Sequence, residues 1–88
     1  MILRKTKNYK KSSSSLSKKD KILLASQEKL LAEDMYNSKL HTKKLKGFVE
    51  DKVFSFRVTR SFRWIFRLQN QEIILFAIGH RKDIYKSV

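Results

Sequence analysis

The chain has 88 residues, which predicts one small domain over residues 1–88 with a modest core. It carries 21 Lys and Arg against 8 Asp and Glu, a net charge of +13, and no cysteine. Disulfides and thiolate chemistry are excluded, and no apolar run reaches the roughly 20 residues of a membrane span. We therefore expect a reducing, cytoplasmic location, no membrane partner, and a polyanionic partner, either nucleic acid or an acidic protein.

The N-terminal half predicts a short edge strand, Met1–Thr6, followed by two helices. Residues 7–16 include four consecutive serines and favour a short helix slightly over a flexible linker. Ser17 and Asp20 have the spacing of a capping box, so a longer helix should begin there. Its apolar residues recur at intervals of three, four and seven, which predicts a stripe that packs on a sheet: Leu23, Leu24, Leu30, Leu31 and Met35.

The second half of the chain has the residue patterns that are typical of β-strands. Apolar and polar residues alternate over 54–59 and again over 62–68, as expected for strands with one buried face. The run from Ile73 to Ile78 is apolar throughout and suits a central strand. Between the helices and these strands, residues 40–47 predict a basic connector that ends in a glycine turn.

The residues expected on the buried faces of the strands also predict the register of the sheet. A hairpin loop at 59–61 gives three facing pairs: Phe54 with Phe66, Phe56 with Trp64, and Arg57 with Arg63. A second loop at Asn70 and Gln71 gives two more facing pairs, Arg63 with Ile78 and Arg67 with Ile74. This pairing puts His80 on the same side of the sheet as Ile78. One face should then carry Arg57, Arg63, Arg67 and His80. Since facing like charges destabilise a sheet, we expect an anion there.

The available side chains limit the chemistry. His41 and His80 are the only histidines and acids are scarce, so neither a metal nor another cofactor is expected. Arginine, histidine and tyrosine suit metal-free phosphodiester chemistry, since arginine stabilises charge on a phosphate and histidine transfers a proton near neutrality. Ordinary structural roles remain open for the same residues: a solvated strand arginine, a turn histidine and a C-terminal tyrosine that packs.

Four segments form a recognisable pattern: Leu45-Lys46-Gly47, Ser55-Phe56-Arg57-Val58, Phe62-Arg63-Trp64-Ile65-Phe66 and Ile78-Gly79-His80-Arg81-Lys82-Asp83-Ile84-Tyr85. In this order and spacing they resemble the RelE/ParE superfamily of bacterial and archaeal type II toxins. The resemblance implies an α+β fold, a β-α-α-β-β-β core with a twisted, mostly antiparallel sheet packed on two N-terminal helices.

The resemblance implies two alternative activities. RelE-like members cleave mRNA on the ribosome without a metal, whereas ParE-like members inhibit DNA gyrase and are not nucleases. Both kinds are neutralised by a cognate antitoxin, which we expect here to be acidic. We interpret the chain as a ribosome-dependent mRNA endoribonuclease; the alternatives are a gyrase inhibitor and a non-catalytic RNA-binding member of the fold.

Site residues follow from the resemblance position by position. Arg63 matches the family's phosphate-contacting arginine, and His80 resembles a histidine that some members use as general acid or base. Arg81 matches the basic residue after the last strand, and Tyr85 matches the C-terminal aromatic residue. The RNA-binding candidates are Arg57, Arg67, Lys43, Lys44, Lys46 and Lys52.

The chain departs from the family pattern in one respect. Some strongly active members carry two lysines on the second strand of the core, where this chain has Phe54 and Phe56. Lys52 or Arg57 would have to substitute, and without a substitute the nuclease activity would be weak or absent.

Overall fold

A computed structural model describes residues 1–45, 52–80 and 82. The elements are β1 (Ile2–Lys5), α1 (Lys7–Ser14), α2 (Lys18–Glu33), a 3-10 helix (Ser38–Leu40), β2 (Lys43–Lys44), β3 (Val53–Arg57), β4 (Phe62–Gln69) and β5 (Glu72–His80). The strands form one sheet in the order β1-β5-β4-β3-β2, with β1 parallel to β5 and the other pairs antiparallel. The predicted fold class is confirmed, and the basic connector adds the short strand β2.

Both helices begin where side chains cap them. The hydroxyl of Thr6 accepts a hydrogen bond from the N–H of Tyr9, and the hydroxyl of Ser17 accepts one from the N–H of Asp20. The predicted capping position of α2 is therefore confirmed. The serine run is helical as far as Ser14, so it is part of a helix rather than a linker. No helix in the described part of the chain is long and apolar enough to cross a membrane.

The core lies between the helices and one face of the sheet. Phe56, Trp64 and Phe66 have no solvent exposure and pack in one cluster with apolar residues of the helices, among them Leu24 and Leu31. The aromatic face was predicted correctly. Leu23 was not, because 40% of it is exposed: Leu24 faces the sheet, and its neighbour along the helix is turned towards solvent.

A buried polar contact ties β1, α1 and α2 together. The hydroxyl of Tyr9 donates to Glu28 Oε2 at 2.8 Å, and Lys5 Nζ lies 3.1 Å from Glu28 Oε1. Burial, with the adjacent carboxylate, raises the pKa of the Tyr9 hydroxyl far above its ordinary value. Tyr9 therefore stays neutral and acts as a donor at any ordinary pH.

The register between β3 and β4 is the predicted one, with Phe56 facing Trp64 and Arg57 facing Arg63. The turn into β5 also forms as predicted. Asn70 and Gln71 have φ values of 52° and 63°, as a type I′ hairpin turn requires.

The register between β4 and β5 holds only up to a bulge. Arg67 faces Ile74, as predicted. The pairing then shifts by one residue between Ile65 and Phe66, which leaves Phe76 without a partner on β4. Beyond the bulge Arg63 faces Gly79, so its predicted pairing with Ile78 is wrong.

Candidate nucleic-acid interface

In the part of the chain that the structure describes, α1 and α2 pack on one side of the sheet only, and we call the other side the open face. By register it carries a small apolar patch in which Leu45, Val53 and Ile65 are buried, with Phe76 and Ala77 packed against them. Around this patch lie basic side chains from four strands: Arg4, Lys43, Arg57, Arg63 and Arg67. Glu72, whose carboxylate lies 3.4 Å from Arg4, is the acidic residue that the described strands place on the same side. The open face is therefore strongly positive.

Arg57 and Arg63 lie directly opposite each other on β3 and β4. Arg63 is 7% exposed, and its Nη1 donates to three carbonyl oxygens of the hairpin: Thr59 at 3.2 Å, Arg60 at 3.2 Å and Phe62 at 3.0 Å. These oxygens are the negative ends of peptide dipoles and offset the charge of the guanidinium. These contacts help to explain why the sheet tolerates two facing arginines. The alternation of residues along the strands did not predict the contacts.

The other two arginines have unused donors. Nε of Arg57 and Nε of Arg67 are buried and lack a hydrogen-bond partner within the described structure. The guanidinium carbon of Arg67 lies 5.7 Å from the centre of the Phe76 ring, which is within the range of a cation–π contact. Buried donors without partners carry a desolvation cost that an incoming acceptor, such as a phosphate oxygen, would relieve.

His80 is not on the open face, and its predicted orientation is wrong. The bulge pairs His80 with Phe62, on the side of the sheet that also carries Trp64. The imidazole and the Phe62 ring meet edge to face with their centroids 5.5 Å apart. Nδ1 of His80 accepts a hydrogen bond from the N–H of Lys82 at 3.2 Å.

The predicted lysine cluster divides between the two sides of the sheet. Lys43 faces Ser55 and lies on the open face, whereas Lys44 faces Phe54 and lies on the helix side. Lys52 is exposed just before β3, where its carbonyl oxygen accepts from the N–H of Leu68. Three predicted site residues lie outside the described residues: Lys46, Arg81 and Tyr85.

Phe76 was not singled out as a site residue. It stands in an uninterrupted apolar run, which by itself does not separate the open face from the core. The register could have found it, because the pairing of Arg67 with Ile74 puts Phe76 on the same side as Arg67 and diagonal to it, and the two side chains are in contact. The open face thus combines three arginines with one half-buried aromatic ring, an arrangement that can bind phosphates and stack against bases.

Sequence comparison finds no matching family model and no matching curated protein. Comparison of structures does find matches, among them three solved structures of low sequence identity. The archaeal RelE–RelB complex from Pyrococcus horikoshii OT3 matches at 18% identity with a TM-score of 0.75, over 91% of this chain and 93% of that one. The YoeB/ParE toxin from Agrobacterium tumefaciens matches at 14% identity with a TM-score of 0.77, over 92% of this chain and 99% of that one.

A third match is the RelB–RelE antitoxin–toxin complex from Methanococcus jannaschii, at 24% identity with a TM-score of 0.64, over 96% of both chains. These structures share with this chain a small α+β fold with two helices against a mixed sheet. The RelE/ParE-like fold expected from the sequence is confirmed, and the match spans nearly the whole of each chain. Identities of this size establish the fold alone.

Proposed function

We propose that the chain is the toxin of a type II toxin–antitoxin system and cleaves mRNA bound to the ribosome. The observation that carries this proposal is the open face of a RelE-like sheet, where Arg57, Arg63 and Arg67 lie on one side beside an apolar patch. Such a face suits the backbone of single-stranded RNA. Its fixed guanidinium groups suit the charge that develops on a phosphate under attack by the neighbouring 2′-hydroxyl.

The roles of individual residues belong to the same proposal. Arg57 and Arg63 contact the scissile phosphate, and Arg67 and Lys43 hold the flanking backbone. Arg81 and Tyr85, which follow β5, are the candidates for completing the site, by resemblance to the family. His80 lies on the other side of the sheet, so its contribution is to position the chain that carries those two residues.

A second candidate function is inhibition of DNA gyrase, and one observation favours it. The positions of β3 where strongly active ribonucleases of the superfamily carry lysines hold Phe54 and Phe56, both buried in the core. The open-face positions of the same strand are Val53, Ser55 and Arg57, so this strand offers one cation rather than two. A member of the fold that binds RNA without cleaving it would show the same single cation on this strand.

The proposed partner is an acidic antitoxin that covers the basic surface. A net charge of +13 should steer such a partner to the toxin, so their association rate should fall as salt rises. Stopped-flow mixing with a candidate antitoxin at two ionic strengths measures this effect. A rate independent of salt would mean that apolar docking alone drives the association.

Mapping of mRNA 5′ ends after induction tests the nuclease proposal. New ends should appear at ribosomal A-sites within the induced cells, and co-expression of the antitoxin should remove them. A variant without the open-face arginines Arg57 and Arg63 serves as the negative control. Inhibition of gyrase supercoiling by the purified chain, without new mRNA ends, would overturn the proposal in favour of the second candidate.

A further inference from the structure

Arg67 and Phe76 are in a contact that phosphate binding does not need. A phosphate contact requires only a positive charge that can reach the backbone, and a mobile surface lysine or arginine provides it. Here the guanidinium carbon lies 5.7 Å from the centre of a half-buried phenyl ring, and Nε of the same group is buried, so the guanidinium is restrained on the open face. Guanidinium planes and aromatic rings are the surfaces on which unpaired bases stack.

A bulge in β5 lies directly beside this pair. Ile65 pairs with Ala77 and Phe66 pairs with Leu75, so Phe76 has no direct partner on β4. Its ring therefore lies diagonally between Ile65 and Arg67, supported from below by the apolar patch of the open face. A bulge in a strand is a means of redirecting side chains, and it often occurs beside functional sites.

The position of the pair relative to the other arginines fits one strand of nucleic acid. Arg67 lies four residues from Arg63 on β4, and side chains four residues apart on one face are separated by roughly 13 Å along a strand. This distance is about two nucleotide steps of an extended single strand. A phosphate at Arg57 and Arg63 would thus leave a base one or two nucleotides away near Arg67.

We propose that Arg67, backed by Phe76, is a stacking platform for one unpaired base of the RNA, and that it places a phosphate one or two nucleotides away against Arg57 and Arg63. This inference rests on the proposed function for its substrate, single-stranded RNA. It assigns to the open face a base-binding element in addition to its phosphate contacts. The N–H groups of a guanidinium lie in its plane, so a base stacked on the face of Arg67 leaves them free to donate to the ribose or to a phosphate.

The test is binding of a short RNA that cannot be cleaved because each ribose carries a 2′-O-methyl group. A strand with bases is compared with an abasic strand of the same length and charge, at low salt, using fluorescence anisotropy. Arg67→Lys keeps the charge but removes the planar group, so it should weaken binding of the strand with bases. We expect about a 5- to 140-fold loss, the equivalent of a stacking contribution of about 1–3 kcal/mol per base. Binding of the abasic strand should stay the same.

Phe76→Leu provides the second variant, because it keeps an apolar side chain on the patch and removes the ring that orients Arg67. It should again weaken binding of the strand with bases only. Arg60→Lys, in the exposed hairpin turn, and Tyr36→Leu, on an exposed tyrosine after α2, are the matched controls and should change neither affinity. Urea midpoints measured on each variant separate loss of binding from loss of folding.

Equal losses on both strands, unchanged affinity for both, or no binding of the strand with bases by the wild-type chain would each overturn the platform. Cleavage of ribosome-bound mRNA by the wild type is measured in parallel. If the wild type cuts mRNA but its affinity does not depend on bases, only the stacking inference fails. If affinity depends on bases but no cutting occurs, the nuclease proposal fails and the platform remains.

Discussion

Phe62 and His80 face each other across β4 and β5, with their ring centroids 5.5 Å apart. This pairing places the imidazole on the helix side of the sheet, whereas Arg63, one residue along, points to the open face. Nδ1 of His80 accepts from the N–H of Lys82, just beyond the end of the sheet. His80 therefore does not face a phosphate on the open face, and from its contact with Lys82 we expect a positioning role.

Two substitutions of His80 distinguish positioning from proton transfer. Asn has an acceptor close to the place of Nδ1, so His80→Asn should keep single-turnover cleavage within about an order of magnitude of wild type. Gln has its polar atoms near the place of Nε2, and His80→Gln should be much slower because the contact to Lys82 is lost. Cleavage of ribosome-bound mRNA measured across pH would decide between the two roles. If both variants are equally slow and lose the same limb of the pH–rate profile, His80 transfers a proton.

The difference between predicted and observed positions of His80 has a physical cause. Alternation along β3 and β4 determines the register of that pair, because a slip of one residue would expose the aromatic face. The run from Ile73 to Ile78 is apolar on both faces, so a slip costs little and the sequence pattern does not reveal the bulge. The hydrogen bonds of Arg63 depend on the conformation of the 58–61 turn, which no periodic pattern encodes. The faces of β3 and β4 were thus predictable, and the residues beyond the bulge were not.

Trp64 should be a major determinant of stability, since it is fully buried between β4 and the helices. Trp64→Ala should lower the free energy of unfolding by about 3–5 kcal/mol, because the helices cannot close the cavity that it leaves. Leu23→Ala is the control, because Leu23 belongs to the predicted apolar stripe of α2 and is 40% exposed. Its cost should be below about 1 kcal/mol. Equal urea midpoints for the two variants would contradict the observed packing.

The buried hydroxyl of Tyr9 predicts a loss of stability at high pH. The pKa of Tyr9 is raised on folding, so its contribution is fully present below the unfolded pKa of about 10. Above that pH the unfolded chain releases the proton and the folded chain retains it, so stability falls as pH rises. Tyr9→Phe should cost about 1.5–3 kcal/mol at neutral pH, because Glu28 loses its donor. The difference between its urea midpoint and that of wild type should shrink above pH about 10, and a constant difference would mean that Tyr9 titrates normally.

Arg63 and Arg57 allow the catalytic proposal to be separated from folding, since they carry the same charge on the same face but differ in their contacts. Arg63 donates to three hairpin carbonyl oxygens, while Arg57 has a buried donor without a partner. Arg63→Ala should therefore lower the free energy of unfolding by about 1–3 kcal/mol, because those oxygens lose their donor. Arg57→Ala should leave stability unchanged or raise it slightly, because it removes a facing like charge.

Both variants should lower the single-turnover rate of mRNA cleavage, by roughly 10²-fold or more for Arg63→Ala, because the phosphate gains charge as the 2′-hydroxyl attacks. Affinity for the ribosome should change much less, since many other basic residues contribute to RNA binding. The rates are compared at a temperature where urea titration shows each variant to be folded. If a folded Arg63→Ala variant cuts at the wild-type rate, Arg63 stabilises the hairpin and takes no part in cleavage. If Arg57→Ala then still lost its activity, Arg57 and its unpaired donor would be the phosphate contact of the open face.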